Sequence, residues 1–383
     1  MRGILHFATP FYPRKSGLGN YIMGLSSHLP TYYNSVVICC DTENTKNYRE
    51  LYHNVLIYRL KCFSLFNGSY FIPSPLSIIK VFIELNNKSF FIIHTHTRFF
   101  LTSILGLLFS KVKKIPLVHV EHGSSFVQHE NKLISFFSKV YDLSIGRFVL
   151  NRSDEIFCVS KNVKSFVEKM SKNKRIFVVS NGVDVSKFKR TKSCNTLIRK
   201  FKLPFNKIII TFVGRLIEGK GVQDLIGSFK SLDGAVLIIV GNGPYKKHLQ
   251  NIAKENKNII FLGEVDRDKV IDILSITDIF VNPSYTEGLP TSILESGCVG
   301  CPVIATNVGG TSEIIEDGIN SFLFQKGNVV DLREKIIILM KDKSLRKKFA
   351  KRLKKNIYEK FDWKNITEEY IRRIENGNFH KRN

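Results

Sequence analysis

Acid is scarce in this chain. Asp and Glu total 33 against 58 Lys and Arg, for a formal net charge of +25 at pH 7. Such an imbalance favours polyanionic partners: nucleic acid, an anionic membrane surface or phosphorylated substrates. Long apolar runs are lacking too. The longest, 99–110, is too short to cross a bilayer as a helix. The opening MRGILHFATPFYP lacks the extended apolar region and small-residue cleavage site of a signal peptide. The expectation is a cytoplasmic protein, soluble or peripheral on the cytoplasmic face of a membrane. A disulfide framework is missing as well. The seven cysteines (Cys39, Cys40, Cys62, Cys158, Cys194, Cys298 and Cys301) are odd in number, scattered and mostly set in apolar runs, which fits a reducing compartment. No repeat of solenoid period and no low-complexity tract occurs, so a repeat array is excluded.

What remains is globular in balance, with 43% hydrophobic and 24% charged residues, and 383 residues exceed one ordinary core. Two domains are expected. Short apolar runs alternate with amphipathic stretches almost throughout. Strand-like runs fall at 3–8, 36–40, 55–60, 91–94, 117–120, 155–159 and 176–179, then at 208–213, 235–240, 259–262, 279–281, 303–305 and 322–324. Helix-like stretches include 19–29, 99–111, 132–150 and 341–360. Apolar runs of this length between helices imply parallel strands buried on both faces, and the βαβ rhythm occurs twice. The class is α/β with two doubly wound, Rossmann-like domains, over 1–186 and 207–361. The polar, basic, aperiodic segment 187–206, with Pro204, reads as the linker.

In doubly wound sheets, ligands bind beyond the carboxyl ends of strands. After the first strand, PRKSGLGN opens a helix, and Gly17 and Gly19 let backbone amides approach an anion. A plain tight turn is the alternative, and the glycine spacing is not the dinucleotide fingerprint. After strand 208–213, GRLIEGKG offers Arg215 as a fork and Lys220 as a point charge. Together they suit a diphosphate without a metal; alternatively they are two solvated surface cations. Strand 279–281 leads into NPSYTEGLPTSILESG, with Glu287 before a helix and Glu295 within it. The free N–H groups of that helix's first turn lie between the two carboxylates. An anion site flanked by two hydroxyl-binding acids suits a nucleotide diphosphate joined to a sugar; a cap and an ordinary helical glutamate is the other reading.

Among the histidines, His119 alternates with Val118 and Val120 as a sheet residue. His122, next to Gly123 past the strand end, is better placed to face a cleft. His94 and His96 form a pair without a third metal ligand at suitable spacing, so no metal site is expected. Cys298 and Cys301 have redox or metal spacing but no second pair, and read as core packing.

This ordered set resembles glycosyltransferase family 4, the retaining transferases of the two-domain fold called GT-B. The resemblance covers nearly the whole chain. Its marks are SGLGNY, VEHG, IFCVSKNVKSFV leading to VVSNGVDVSKF, FVGRLIEGKGV, IIVGNGPYKKHL and NPSYTEGLPTSILESGCVGCPVIATNVGGTSEIIEDGINSFLF. The last is the most specific, joining two glutamates at fixed spacing to a downstream Gly-Gly-x-x-Glu.

The resemblance implies a nucleotide-sugar-dependent hexosyltransferase that needs no cofactor or metal. Its domains would face each other across a cleft, with a C-terminal helix (362–383) crossing back to the first. Arg215 and Lys220 would grip the diphosphate of a UDP- or GDP-sugar. Glu287 would hold sugar hydroxyls and Glu295 the ribose. Backbone amides of Gly288, Leu289 and Thr291 would contact sugar and phosphate, as would the Gly17–Gly19 loop, and His122 would stand at the reacting face. Retention is expected by front-face attack, so no nucleophile is assigned. The acidic block departs from the family's usual Glu-Gly-Phe-Gly, reading Glu287-Gly288-Leu289-Pro290, which leaves sugar preference open.

The acceptor is expected to be a glycan or lipid-linked glycan of cell-surface polysaccharide or glycolipid biosynthesis. Stretch 132–150 mixes Phe136, Phe137, Val140, Leu143 and Phe148 with Lys132, Lys139 and Arg147, and the basic character continues from Lys161 to Arg175. One reading docks this face on anionic lipid; the other is an ordinary amphipathic core helix. The competing classes are a basic, non-enzymatic binding protein and a nucleotide-sugar hydrolase or epimerase on the same fold. Nucleic acid is not expected as a partner, because no recognition helix, RNA-binding strand or zinc module is present.

Overall fold

A computed structural model describes residues 2–14, 16–45, 47–65, 70–126, 132–190, 194–201, 204, 206–230 and 232–377. The chain divides into two compact units, Met1–Asn181 with Trp363–Asn383, and Gly182–Asp362.

The first unit is built on an eight-stranded sheet. In chain order its strands are β1 (Arg2–Phe7), β2 (Tyr33–Cys40), β3 (Arg49–Tyr52) and β4 (Val55–Leu60). A separate hairpin, β5 (Cys62–Leu65) and β6 (Tyr70–Pro73), precedes β7 (Ile92–His96), β8 (Leu117–Glu121), β9 (Glu155–Cys158) and β10 (Ile176–Val178). Their order across the sheet is β10-β9-β8-β7-β1-β2-β4-β3. All neighbours pair in parallel except β3, which lies antiparallel on β4 at the edge. The central strands are buried on both faces, which is why they read as mainly apolar runs, broken by His6, His94, Thr95, His96, His119 and Glu121.

Three elements have no counterpart in the sequence reading. Strand β3 is four residues of charge and partial exposure, RELY, and β5–β6 is a two-stranded ribbon exposed along β5 and half buried along β6. The helix Pro75–Leu85 buries Ser77, Val81 and Leu85 while exposing Leu76, Ile79 and Ile83. Its apolar residues therefore encircle it, and the 3.6-residue signal is blurred.

Stretch 132–150 is not one core helix. It is a helix Lys132–Tyr141, a π-helical turn Asp142–Gly146 and a helix Arg147–Arg152. The inward pull is Asp142, whose carboxylate accepts from Arg98 Nη2 at 2.9 Å. Leu133, Phe136 and Phe137 are 67%, 60% and 65% exposed, and Val140, Leu143 and Phe148 are exposed with them. The core-helix reading fails here because only Ser138 of Lys132–Tyr141 is buried.

The second unit has a six-stranded, wholly parallel sheet of β11 (Ile208–Val213), β12 (Ala235–Val240), β13 (Ile259–Gly263), β14 (Ile279–Asn282), β15 (Val303–Thr306) and β16 (Phe322–Phe324). The order is β13-β12-β11-β14-β15-β16. Cores form on both faces, one around Phe212, Leu225 and Ile336, the other around Ile209, Ile238 and Ile273. The expected linker 187–206 is corrected in part. A helix Cys194–Lys200 lies within it, and Leu197 packs with Ile209 and Val236. Its seven residues are too few for a visible period. Cys298 and Cys301 are buried, and burial pushes both thiols up to about 12.

The C-terminal helix Trp363–Asn376 belongs to the first unit and packs on the helix Gly17–His28. Gly24 makes the closeness possible, since a Cβ there would fall 2.2 Å from Trp363. Among the described residues, no helix is long and apolar enough to cross a membrane.

Candidate functional site

Sheet order locates the ligand ends. In the second unit the order reverses direction between β11 and β14, the switch point of a doubly wound sheet, beyond whose carboxyl ends ligands bind. The loops there are Gly214–Gly221 and Pro283–Pro290, and they hold Arg215, Lys220 and Glu287.

The two loops are locked together. Tyr285 donates its N–H to the Gly219 carbonyl at 2.8 Å. Gly221, at φ 65°, sits so close that a Cβ would fall 2.0 Å from the Pro283 carbonyl oxygen. On the other side Leu216 is buried, donates to Asn242 and accepts from Tyr245. Arg215 stands exposed at the start of its loop. Lys220 Nζ donates to Glu287 Oε1 at 2.6 Å, and Asn282 Nδ2 approaches the same oxygen at 3.5 Å. The structure thus brings Lys220 and Glu287 together, with Asn282 behind them. Asn282 was not singled out from sequence, although a polar residue closing an apolar strand at a switch point was the available signal.

The helix Thr291–Val299 begins after Pro290 with no side chain capping its first turn. Gly288 offers its carbonyl to Gly310 N–H at 2.9 Å, which ties in the downstream Gly-Gly pair, and the Leu289 side chain is buried. Glu295, one turn into that helix, lies 3.7 Å from Arg267 Nη2. Burial pushes its carboxyl up, and Arg267 works against this.

The first sheet repeats the pattern, reversing between β1 and β7. After β1, Ser16 caps the helix Gly17–His28 by accepting from Gly19 N–H at 2.9 Å. The Gly19 amide is therefore already engaged, contrary to the expectation that both glycine amides approach a ligand, while Gly17 is exposed with open space around it. After β8, Glu121 Oε1 accepts the N–H groups of His122 and Gly123 at 3.0 and 2.9 Å. Arg98 binds Glu121 at 3.1 Å, Asp142 at 2.9 Å and the Ser125 carbonyl at 2.9 Å. Burial pushes the Glu121 carboxyl up, but Arg98, His119 and the Gly123 N–H together outweigh it and hold the group far below the usual range. Arg98, Glu121 and Asp142 were missed because they come from three separated stretches.

His119 is a satisfied sheet residue, between Thr95 Oγ1 at 2.9 Å and Glu121 at 3.3 Å. His122 is half-buried, and burial lowers its imidazole to about 4. The statement that His94 and His96 lack a third partner is corrected: His6 pairs across to His94 in the β1–β7 register, and the ligand nitrogens of the three lie within 4.8 Å of one another. Ninety residues of sequence conceal that proximity. Among the described residues, these three could hold a metal ion.

The sequence matches the models of two families, Glycosyltransferase Family 4 over residues 15–187 and Glycosyl transferases group 1 over residues 195–358. It is 31% identical over 382 residues to an uncharacterized glycosyltransferase of Methanocaldococcus jannaschii, covering 96% of each chain. The chain belongs to glycosyltransferase family 4. This family 4 enzyme is also 27% identical over 286 residues to the UDP-Gal:alpha-D-GlcNAc-diphosphoundecaprenol alpha-1,3-galactosyltransferase of Escherichia coli, covering 70% and 71% of the two chains. Its fold is GT-B. The Anabaena protein HepE, solved in complex with UDP-glucose, superposes with a TM-score of 0.81 at 18% identity, over 98% and 100% of the chains. Membership in a glycosyltransferase family sets aside the non-enzymatic binding-protein reading.

Proposed function

We propose that this family 4 glycosyltransferase is a retaining, metal-independent enzyme. It would move a hexose from a UDP- or GDP-sugar to a glycan or lipid-linked acceptor in cell-surface polysaccharide or glycolipid biosynthesis. The observation that carries the reading is the placement of Arg215, Lys220 and Glu287 on two locked loops at the second sheet's switch point, with Lys220 bonded to Glu287. Arg215 and Lys220 supply fixed positive charge to the diphosphate, and that charge stabilises the departing nucleotide as it gains negative charge. Glu287 is assigned to the sugar hydroxyls and Glu295 to the ribose. The amides of Gly288, Leu289 and Thr291, at the uncapped helix start, are assigned to sugar and phosphate. From the first unit, His122 and Gly17 are assigned to the same reaction. No residue is assigned as a nucleophile, in keeping with front-face attack. The E. coli relative's own name specifies UDP-Gal and a lipid diphosphate acceptor, which supports a donor and acceptor of those classes.

The first unit carries the acceptor side of the proposal. The exposed apolar residues from Leu133 to Phe148, interspersed with Lys132, Lys139 and Arg147, form a face suited to an anionic lipid surface. We place the protein on the cytoplasmic side of that surface.

Calorimetric titration with UDP, GDP, ADP and their sugar conjugates, in chelator, tests the donor site. One nucleotide is expected to bind saturably, with binding lost in Arg215→Ala and Glu295→Ala. A folded protein that binds none of them overturns the donor assignment, and binding that requires a divalent ion overturns metal independence. Product analysis with and without acceptor separates transfer from hydrolysis or epimerisation.

A further inference from the structure

Three imidazoles form a row at the first sheet's switch point. His6 Nδ1 lies 3.1 Å from His96 Nε2, and His96 Nδ1 lies 3.2 Å from His122 Nε2. The rings lie edge to edge along the row, with centroids 5.4 and 5.5 Å apart and planes inclined by only 27° and 30°. The order follows from the strands: β1 carries His6, β7 beside it carries His96 on the same face, and His122 follows the end of β8. His6 and His96 have no solvent exposure. Among the described residues their ring nitrogens are bonded to other imidazoles and to no carboxylate, so burial favours the neutral ring over an unpaired charge.

A neutral imidazole has one N–H and one bare nitrogen. Two linked contacts therefore allow only two proton arrangements, with every bond running toward His122 or every bond running toward His6. The buried end decides between them. His6 Nε2 has no hydrogen-bond partner among the described residues. Running the bonds toward His6 would leave an orphaned N–H there, whereas the opposite sense leaves only a bare lone pair, the milder of the two omissions in protein interiors.

We propose that His6 donates to His96 and His96 to His122, fixing His122 as its Nδ1–H tautomer, a hydrogen-bond donor in sugar transfer, with His96 as the positioning residue. The functional half rests on the role assigned to His122 above; the tautomer does not. His122 then offers Nδ1–H to a ligand oxygen, instead of a lone pair that could take a proton.

The test has two arms. Two-bond 1H–15N correlation on the full chain labelled with 15N-histidine reads the tautomers directly, assigned with His6→Gln and His96→Asn. Nδ1–H patterns for His96 and His122 are expected; Nε2–H patterns overturn the proposal whether or not the protein transfers sugar. In the kinetic arm, His96→Leu is expected to lose about tenfold or more in kcat with little change in donor KM. His96→Asn, whose amide N–H can replace Nδ1–H, is expected to recover most of that loss. Equal kcat in the two variants, both shown to be folded by circular dichroism, overturns the positioning role.

Discussion

Gly221 shows how much of the proposed donor site is decided by one residue without a side chain. Its left-handed backbone and its contact with the Pro283 carbonyl bring the Lys220 loop onto the Glu287 loop. Gly221→Ala meets both the strained conformation and the clash. It is expected to destabilise the second unit by about 1–3 kcal/mol and to abolish nucleotide binding by calorimetry. Unchanged binding would mean that the two loops need not touch. At this scale the sequence was legible where candidate residues are packed into a short span. Arg215, Lys220 and Glu287 announced themselves because each follows an apolar strand in a glycine-containing loop. Glu121 and His96 meet Arg98 and His6 across 23 and 90 residues of sequence, so their types alone carried no message.

Among the elements, the buried parallel strands were readable because lack of solvent on both faces demands mainly apolar runs. The pieces that escaped reading are those that violate such patterns, namely β3, the β5–β6 ribbon and the helix Pro75–Leu85. The segment Lys132–Arg152 is the most informative failure. Its apolar side was legible, but its direction was not, because amphipathicity alone does not say whether the greasy face meets a core or something outside. The π turn, held by Asp142 against Arg98, settles the inner face and leaves Phe136 and Phe137 outward. Liposome flotation is the corresponding measurement. Binding to anionic vesicles is expected and should fall about tenfold when Phe136 and Phe137 are both changed to Ser, since each buried aromatic contributes a kcal/mol or more. Wild-type protein that ignores vesicles of every composition removes the docking face.

For the molecule as a whole, both large sheets use the same logic, with the order reversing beside the first strand of each unit. That architecture followed from the rhythm of the sequence, while the strand order came only from the pairing. It also gathers His6, His94 and His96 into the first core, and a pH dependence follows. Burial holds His6 at about 3 and His94 and His96 well below their ordinary values. Below about pH 6.5 the unfolded chain takes up protons that the folded chain refuses, so stability falls as pH falls. Each such imidazole contributes a slope of about 1.4 kcal/mol per pH between its unfolded and folded values. Urea unfolding of the first unit is expected to weaken steeply from pH 7 to pH 5, and His6→Gln should flatten that slope. A stability independent of pH over this range would contradict neutral burial.

Trp363 is the only tryptophan in the chain, and it occupies the first position of the helix that returns to the first unit. Its indole is 3% exposed, pressed against Gly24 and edge-on to Tyr21 at 5.6 Å. Intrinsic fluorescence excited at the indole band therefore has a single source, located at one joint. A shift of that emission to longer wavelength reports the C-terminal helix leaving its seat, and does so without any label being attached.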